Sequence, residues 1–143
     1  EDTSADIEAM VHATLERGDA MSDPRTVGMF LSAKLAKRHR EVFAVMFMDT
    51  RHRLIAFEEL FAGSLDGAEV HPREVARAAL VHNAACVILA HNHPSGMTKP
   101  SKSDEALTMS LKNALALVDV KVLDHFIVGG AKPPLSFAER GLL

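Results

Sequence analysis

The sequence predicts an α/β fold, a three-layer α/β/α sandwich around a central mixed β-sheet. Three observations predict it. Short apolar runs rich in β-formers alternate with segments of helical periodicity. Two of those runs, Val42–Met48 and Cys86–Ala90, are almost unbroken, as in strands covered on both faces. The first is followed, across the polar turn Asp49-Thr50-Arg51-His52, by a second strand-like segment, and such an early hairpin makes the sheet mixed.

Taken in order, Ile7, Met10, Val11 and Leu15 share one helix face, and Arg17-Gly18-Asp19 ends that pattern. Residues 1–21 are expected to be an N-terminal helix or a linker remnant, with the domain proper over 22–143. Asp23-Pro24 reads as an N-cap with proline in the first turn, where its missing N–H costs nothing. Val27, Phe30, Leu31 and Leu35 form the buried stripe of that helix, which is expected to close in the basic run Lys37-Arg38-His39-Arg40, complementing its dipole. After the strand Val42–Met48, Arg53–Phe61 completes the hairpin, and Gly63–Gly67 is a loop. His71-Pro72-Arg73-Glu74 opens a helix with Val75, Ala78, Ala79 and His82 on one face. Cys86–Ala90 is the buried strand, and the loop Asn92–Pro100 leads to a helix carrying Leu107, Leu111, Ala114, Leu115 and Val118. Val120–Val128 is the last long strand, Gly129-Gly130 a turn, and Leu135-Ser136-Phe137 a short strand. There is no internal repeat.

Composition narrows the function classes. The 143 residues suit one domain, and 48% are apolar, enough to bury a core without disulfide staples. With 16 Lys and Arg against 19 Asp and Glu the net charge is −3, which disfavours a dedicated non-specific nucleic-acid binder. Lys34–Arg40 and Arg51–Arg53 are where a local basic patch would form. No apolar stretch approaches the roughly 20 residues of a membrane helix, and Glu1-Asp2-Thr3-Ser4 lacks the basic start of a signal peptide. A single cysteine, Cys86, excludes an internal disulfide and fits a reducing, cytoplasmic setting. It sits in an apolar strand and reads as a small core residue rather than a nucleophile. The chain starts at Glu1 rather than Met, as expected of a piece of a longer protein. There is no GxSxG, P-loop or dinucleotide fingerprint.

The chemistry lies in His91-Asn92-His93-Pro94-Ser95-Gly96-Met97-Thr98-Lys99-Pro100-Ser101-Lys102-Ser103-Asp104. Alternate residues of a strand point to one side, so His91 and His93 can face a common point. Pro94 and Gly96 turn the chain, and Pro100 delivers it to a helix whose first turn carries Asp104. Two neutral imidazoles and a carboxylate suit a Zn2+ site with three protein ligands and an open fourth position for water. Each piece has a plainer explanation. An HxH pair can be polar residues where a strand leaves the core, and Ser101-x-x-Asp104 is a capping box with Ser101 as N-cap. It is the conjunction that favours a metal site. Asp124 and His125 alternate in a strand, so one faces inward. Packing or a hydrogen bond at the sheet end is the plainer role there, and accepting the free N–H of a ligand histidine is the alternative. His71 and His82 read as helix-end residues.

His91-x-His93-Pro94 with Ser101-x-x-Asp104 resembles the JAMM signature of MPN/JAB-type metallopeptidases, and the fuller His91-Asn92-His93-Pro94-Ser95-Gly96 string resembles the RadC branch. Gly63-Ser64-Leu65-Asp66-Gly67, His71-Pro72-Arg73-Glu74 and Leu123-Asp124-His125-Phe126-Ile127 are similar to RadC-like proteins as well, so the resemblance covers roughly residues 22 to 143. RadC-like proteins often carry a helix-hairpin-helix module ahead of this domain, and none is visible here. The resemblance implies the sandwich shared with cytidine-deaminase-like proteins. It implies His91, His93 and Asp104 as zinc ligands, and Ser101 as hydrogen-bond donor to the oxyanion of a carbonyl under attack. It further implies a glutamate just ahead of the first core strand as general acid/base, which here selects Glu41, with Glu58 and Glu59 on the second strand as its rivals. The expected activity is zinc-dependent hydrolysis of an amide, peptide or isopeptide bond through a metal-activated water, on a peptide or protein substrate. The loops Gly63–Val70 and Met97–Lys99 would govern substrate choice. The alternative is an accessory, non-catalytic module acting near DNA, for which the acidic balance offers no electrostatic support.

Overall fold

The structure, a computed structural model, describes residues 23–63 and 69–143. The helix or linker expected over residues 1–21, and Ser64–Gly67 of the expected loop, lie outside them. Asp23 caps the first helix among the described residues, α1 (Pro24–Leu35), its carboxylate accepting from the Arg25 N–H. The expected stripe of Val27, Phe30, Leu31 and Leu35 is buried. The basic run, however, lies beyond this helix. The C-cap is Ala36, with only Lys34 in the last turn, so Lys37–Arg40 belongs to the connection into the first strand.

Strand β1 (Glu41–Met48) is buried from Val42 onward, and β2 (Leu54–Gly63) pairs with it antiparallel. The turn between them is organised by Asp49, whose carboxylate accepts from the N–H groups of Arg51 and Arg53 and pairs with the Arg53 guanidinium. Helix α2 (Pro72–Val81) follows, then β3 (Cys86–Asn92), α3 (Lys102–Ala116), β4 (Lys121–Val128) and the short β5 (Leu135–Ser136). Among the described residues the sheet order is β2-β1-β3-β4-β5, with β1–β3 antiparallel and β3–β4 parallel. The parallel pair needs a crossover, and α3 supplies it.

Side-chain alternation then divides the core in two. Val42, Ala44, Met46, Ile88 and Ala90 pack beneath α1 on one face. Phe43, Val45, Phe47, Val87 and Leu89 pack beneath α2 and α3 on the other. The expected three-layer sandwich with a mixed sheet is therefore the fold. Its consequence for function is topological. The C-terminal ends of the parallel strands β3 and β4, the N-terminus of α3 and the start of β1 all meet at one end of the sheet. Ligand sites in open α/β sheets form at such strand ends.

Candidate metal centre

The site is assembled from the last turn of β3 outward. His91 pairs with Phe43 of β1, so its side chain lies on the face covered by α2 and α3, beside the Phe43 ring. His93, two residues on, falls on the same side, and its N–H donates to the Val128 carbonyl at the end of β4. The chain then folds back sharply. Gly96 N–H donates to the His93 carbonyl, with Gly96 at φ +87°, where a side chain would be strained. This return puts the Met97 carbonyl 2.9 Å from His93 Nδ1.

Asp104 arrives from the first turn of α3. Its Oδ1 lies 3.3 Å from His91 Nε2, and its Oδ2 lies 3.3 Å from His93 Nε2. The two Nε2 atoms are 3.0 Å apart. The capping box also forms: Ser101 Oγ accepts from the Asp104 N–H, and Asp104 Oδ2 accepts from the Ser101 N–H at 2.8 Å. The capping and metal-site explanations of Asp104 are thus both satisfied by one side chain. Oδ2 closes the helix end, and Oδ1 remains available on the histidine side.

The chemistry of this donor set fits a divalent cation. A carbonyl can only accept, so Met97 fixes the His93 proton on Nδ1 and leaves a lone pair on Nε2. Three electron-rich atoms then converge, all within 4.8 Å of one another. The two Nε2 atoms, 3.0 Å apart, each lie 3.3 Å from a different oxygen of the one Asp104 carboxylate, spacings near the roughly 3.3 Å between ligands of a tetrahedron with bonds of about 2.0 Å. Without a cation the site draws protons instead. The hydrogen bond with Asp104 raises His93 above its ordinary pKa despite partial burial. Burial pushes the Asp104 carboxyl up, but hydrogen bonds from His91, His93 and the Ser101 N–H outweigh it and hold it well below the usual carboxylate range.

Glu41 lies at the start of β1. Two residues before Phe43, the partner of His91, Glu41 falls on the same face of β1, and its charge contributes to the raised pKa of His93. The rival glutamates are placed elsewhere. Glu59 is opposite Ala44 and pairs with Arg38. Glu58 is opposite Val45, further down the sheet, and bonds His82 at the end of α2. Ser101 Oγ is exposed, and because it accepts from the Asp104 N–H its own proton remains free to donate.

Asn92 and Thr108 were not legible as contributors, and His125 only as the alternative to a packing residue. Asn92 points to the opposite face from the histidines. Its Oδ1 accepts from the Val42 N–H, and its Nδ2 donates to the Arg40 carbonyl, clamping the chain on both sides of Glu41. His125 of β4 bonds His91 Nδ1 at 2.8 Å and Thr108 of α3 at 2.6 Å, so it faces the ligands rather than merely packing. Asp124 turns the other way and holds the C-terminal segment through Ser136 and the Ala138 N–H. Gly129 is more than a turn residue. A Cβ there would meet Gly96 O at 2.6 Å, so the ligand loop rests directly on it. His71 and His82 cap α2, as expected. Cys86 is buried, and burial pushes its thiol up, away from nucleophilic character. Arg38 and Arg53, from the two basic clusters, are engaged by Glu59 and Asp49. Among the described residues no helix is long and apolar enough to cross a membrane.

The family model described as the RadC-like JAB domain matches residues 21–142. The chain is 62% identical over 130 residues to a UPF0758 protein of Nitrosococcus oceani, covering 91% of this chain and 58% of that protein. It is 59% identical over 131 residues to a UPF0758 protein of Xanthomonas axonopodis pv. citri, covering 92% and 58%. A UPF0758 protein of Thioalkalivibrio sulfidiphilus is 62% identical over 130 residues, covering 91% and 57%. The chain therefore spans a little under three-fifths of the length of the curated relatives it matches.

Proposed function

This chain belongs to the RadC-like JAB domain family, and from that premise we propose that it is a zinc-dependent hydrolase of amide, peptide or isopeptide bonds, acting on a peptide or protein substrate. The observation that carries the reading is the convergence of His91 Nε2, His93 Nε2 and the Asp104 carboxylate, with the His93 ring proton directed away into the Met97 carbonyl. A donor set of two imidazoles and one carboxylate is the chemistry of zinc sites that keep an open position. When bound there, the ion would supply Lewis acidity, polarising the scissile carbonyl and activating water near neutral pH.

The remaining work falls to the chain. Glu41, on the same face of β1 as Phe43, the partner of His91, takes the proton of the attacking water and hands it to the leaving nitrogen. Ser101, whose hydroxyl proton is not used in capping, donates to the oxyanion that forms at the carbonyl. Asn92 holds the Arg40 carbonyl and the Val42 N–H, so the Glu41 backbone has little freedom to drift.

The test is a screen of peptide and isopeptide substrates with the zinc-loaded protein, with Glu41→Gln as control. Glu41→Gln retains zinc and loses hydrolysis by about 10²–10⁴-fold, the usual contribution of a general base. A fully active Glu41→Gln variant overturns the proton-shuttle assignment. A wild-type protein that binds no zinc, or binds it indifferently to His93→Ala, overturns the hydrolase reading itself.

A further inference from the structure

His93 receives its tautomer from a backbone carbonyl, but among the described residues the partner of His91 Nδ1 is a side chain, His125. We propose that Thr108 and His125 act as positioning residues, a two-member hydrogen-bond relay that fixes the His91 proton on Nδ1 and so turns its Nε2 lone pair toward the metal position. The inference rests on the metal-centre reading given above and names the groups that prepare that centre.

The direction of the relay follows from its far end. Thr108 Oγ1 lies 2.8 Å from the Asp104 carbonyl, one helical turn back, and a carbonyl can only accept. The hydroxyl has one proton and gives it there. Its lone pairs then face His125 Nδ1 at 2.6 Å, so the His125 proton sits on Nδ1. His125 is fully buried, stacked on Phe137 with centroids 4.6 Å apart and met edge-on by Phe43. Both of its nitrogens are taken by Thr108 and His91, neither of them an anion, and a second proton in that setting would be a buried charge without a counter-ion in contact. His125 Nε2 is therefore an acceptor, and the His91 Nδ1–H donates to it at 2.8 Å.

The relay runs from one ligand, through β4 and α3, to the backbone of another. It starts at His91 and ends on Asp104, so it also ties the first turn of α3 to the strand ends. Partners of metal-bound histidines are usually carboxylates, backbone carbonyls or water. Here a neutral imidazole takes that place and orients the ring without adding negative charge next to the site.

The experiment compares Thr108→Val with Thr108→Ser. Valine keeps the shape and removes the hydroxyl, whereas serine keeps the hydroxyl and removes a methyl. Two readouts are taken: zinc affinity by competition with a chromophoric chelator, and the His91 tautomer in the metal-free protein from long-range ¹H–¹⁵N correlations of the imidazole at mildly alkaline pH. The wild type and Thr108→Ser show His91 as the Nδ1–H form, and Thr108→Ser keeps zinc affinity within about twofold. Thr108→Val loses the single Nδ1–H signature and weakens zinc binding by about 10-fold or more, the usual effect of removing such a partner. A role in packing alone gives the opposite order, with serine the more damaging change. The relay is overturned if Thr108→Val leaves both the tautomer and the affinity unchanged, or if Thr108→Ser is the weaker binder of the two. Should the wild type bind no zinc, the metal-centre reading fails, and the tautomer comparison alone still decides the relay.

Discussion

His93 and His125 sit 2.8 to 3.0 Å from the same His91 ring, at opposite nitrogens, and their pKa values move in opposite directions. The hydrogen bond with Asp104 raises His93 above its ordinary 6.5. Burial, with the neighbouring His91 charge, drives His125 well below the same value. The linkage signs follow. A raised histidine contributes stability that is present below its unfolded pKa and lost as pH rises through the folded one. A depressed histidine costs stability as pH falls below 6.5, because only the unfolded chain takes up the proton. The metal-free protein should therefore melt highest near pH 6.5 and at lower temperature on both sides. Zinc needs a bare Nε2 on His93, so its stabilising effect should grow as pH rises past that point. Melting curves with chelator and with zinc, between about pH 5 and 8.5, read both effects. A metal-free melting temperature that climbs steadily to the alkaline end would contradict the His93–Asp104 pairing. The histidine pair and Asp104 could be read from sequence because strand and helix periods convert spacing into direction. His125 was legible only as the alternative to a packing role, and Thr108 not at all. A threonine that bonds the carbonyl four residues back is common in helices, and nothing local says that its other side meets an imidazole from a strand.

At the scale of elements, the ligand loop depends on its seat. Gly129 follows β4 without a positive φ, so alanine suits its backbone there. The difficulty is space, since a Cβ would stand 2.6 Å from Gly96 O and 2.8 Å from Thr98 Cγ2. Gly129→Ala should therefore displace the loop that carries Met97, free the His93 ring, and lower zinc affinity by about 10-fold, with a stability cost of about 1–3 kcal/mol for overpacking. Gly130 supplies the control. Its φ is +58° and nothing stands near its Cβ position, so Gly130→Ala strains the turn by roughly 1 kcal/mol and leaves zinc affinity unchanged. Equal affinity losses in the two variants would show that general destabilisation, not the loop seat, is responsible. The strands and helices themselves were legible, because apolar periodicity and caps such as Asp23 and Ser101 are local signals. The misread boundary after α1 has a physical cause. Lys37–Arg40 continues a helix-compatible composition, but Asn92, some fifty positions along the chain, draws the Arg40 carbonyl toward β3 and makes this stretch the lead-in to β1.

For the whole molecule, the site joins segments that the chain keeps far apart: the start of β1, the end of β3, the first turn of α3 and the middle of β4. Burial of β1 and β3 beneath helices on both faces holds the strands whether or not a metal is present. The tie from β3 to α3 at the open end is polar and rests on Asp104. A cation there would cross-link the sheet to the crossover helix and would bind only the folded chain, so its stabilisation would follow mass action. At free zinc about 1,000 times the dissociation constant the gain is about 4 kcal/mol. For a domain of this size that corresponds to roughly 10–20 °C in melting temperature. His93→Ala should abolish the zinc-dependent gain while lowering the metal-free melting temperature only by what its pairing with Asp104 contributes, since the capping box of α3 stays closed. Asp104→Ala should abolish the gain and also cost about 1 kcal/mol without metal, because the same substitution opens the capping box of α3. That asymmetry separates the dual role of Asp104 from the single role of His93. Zinc-dependent stabilisation that survives His93→Ala would place the bound ion elsewhere on this acidic chain and leave the strand-end cluster as a network of hydrogen bonds alone.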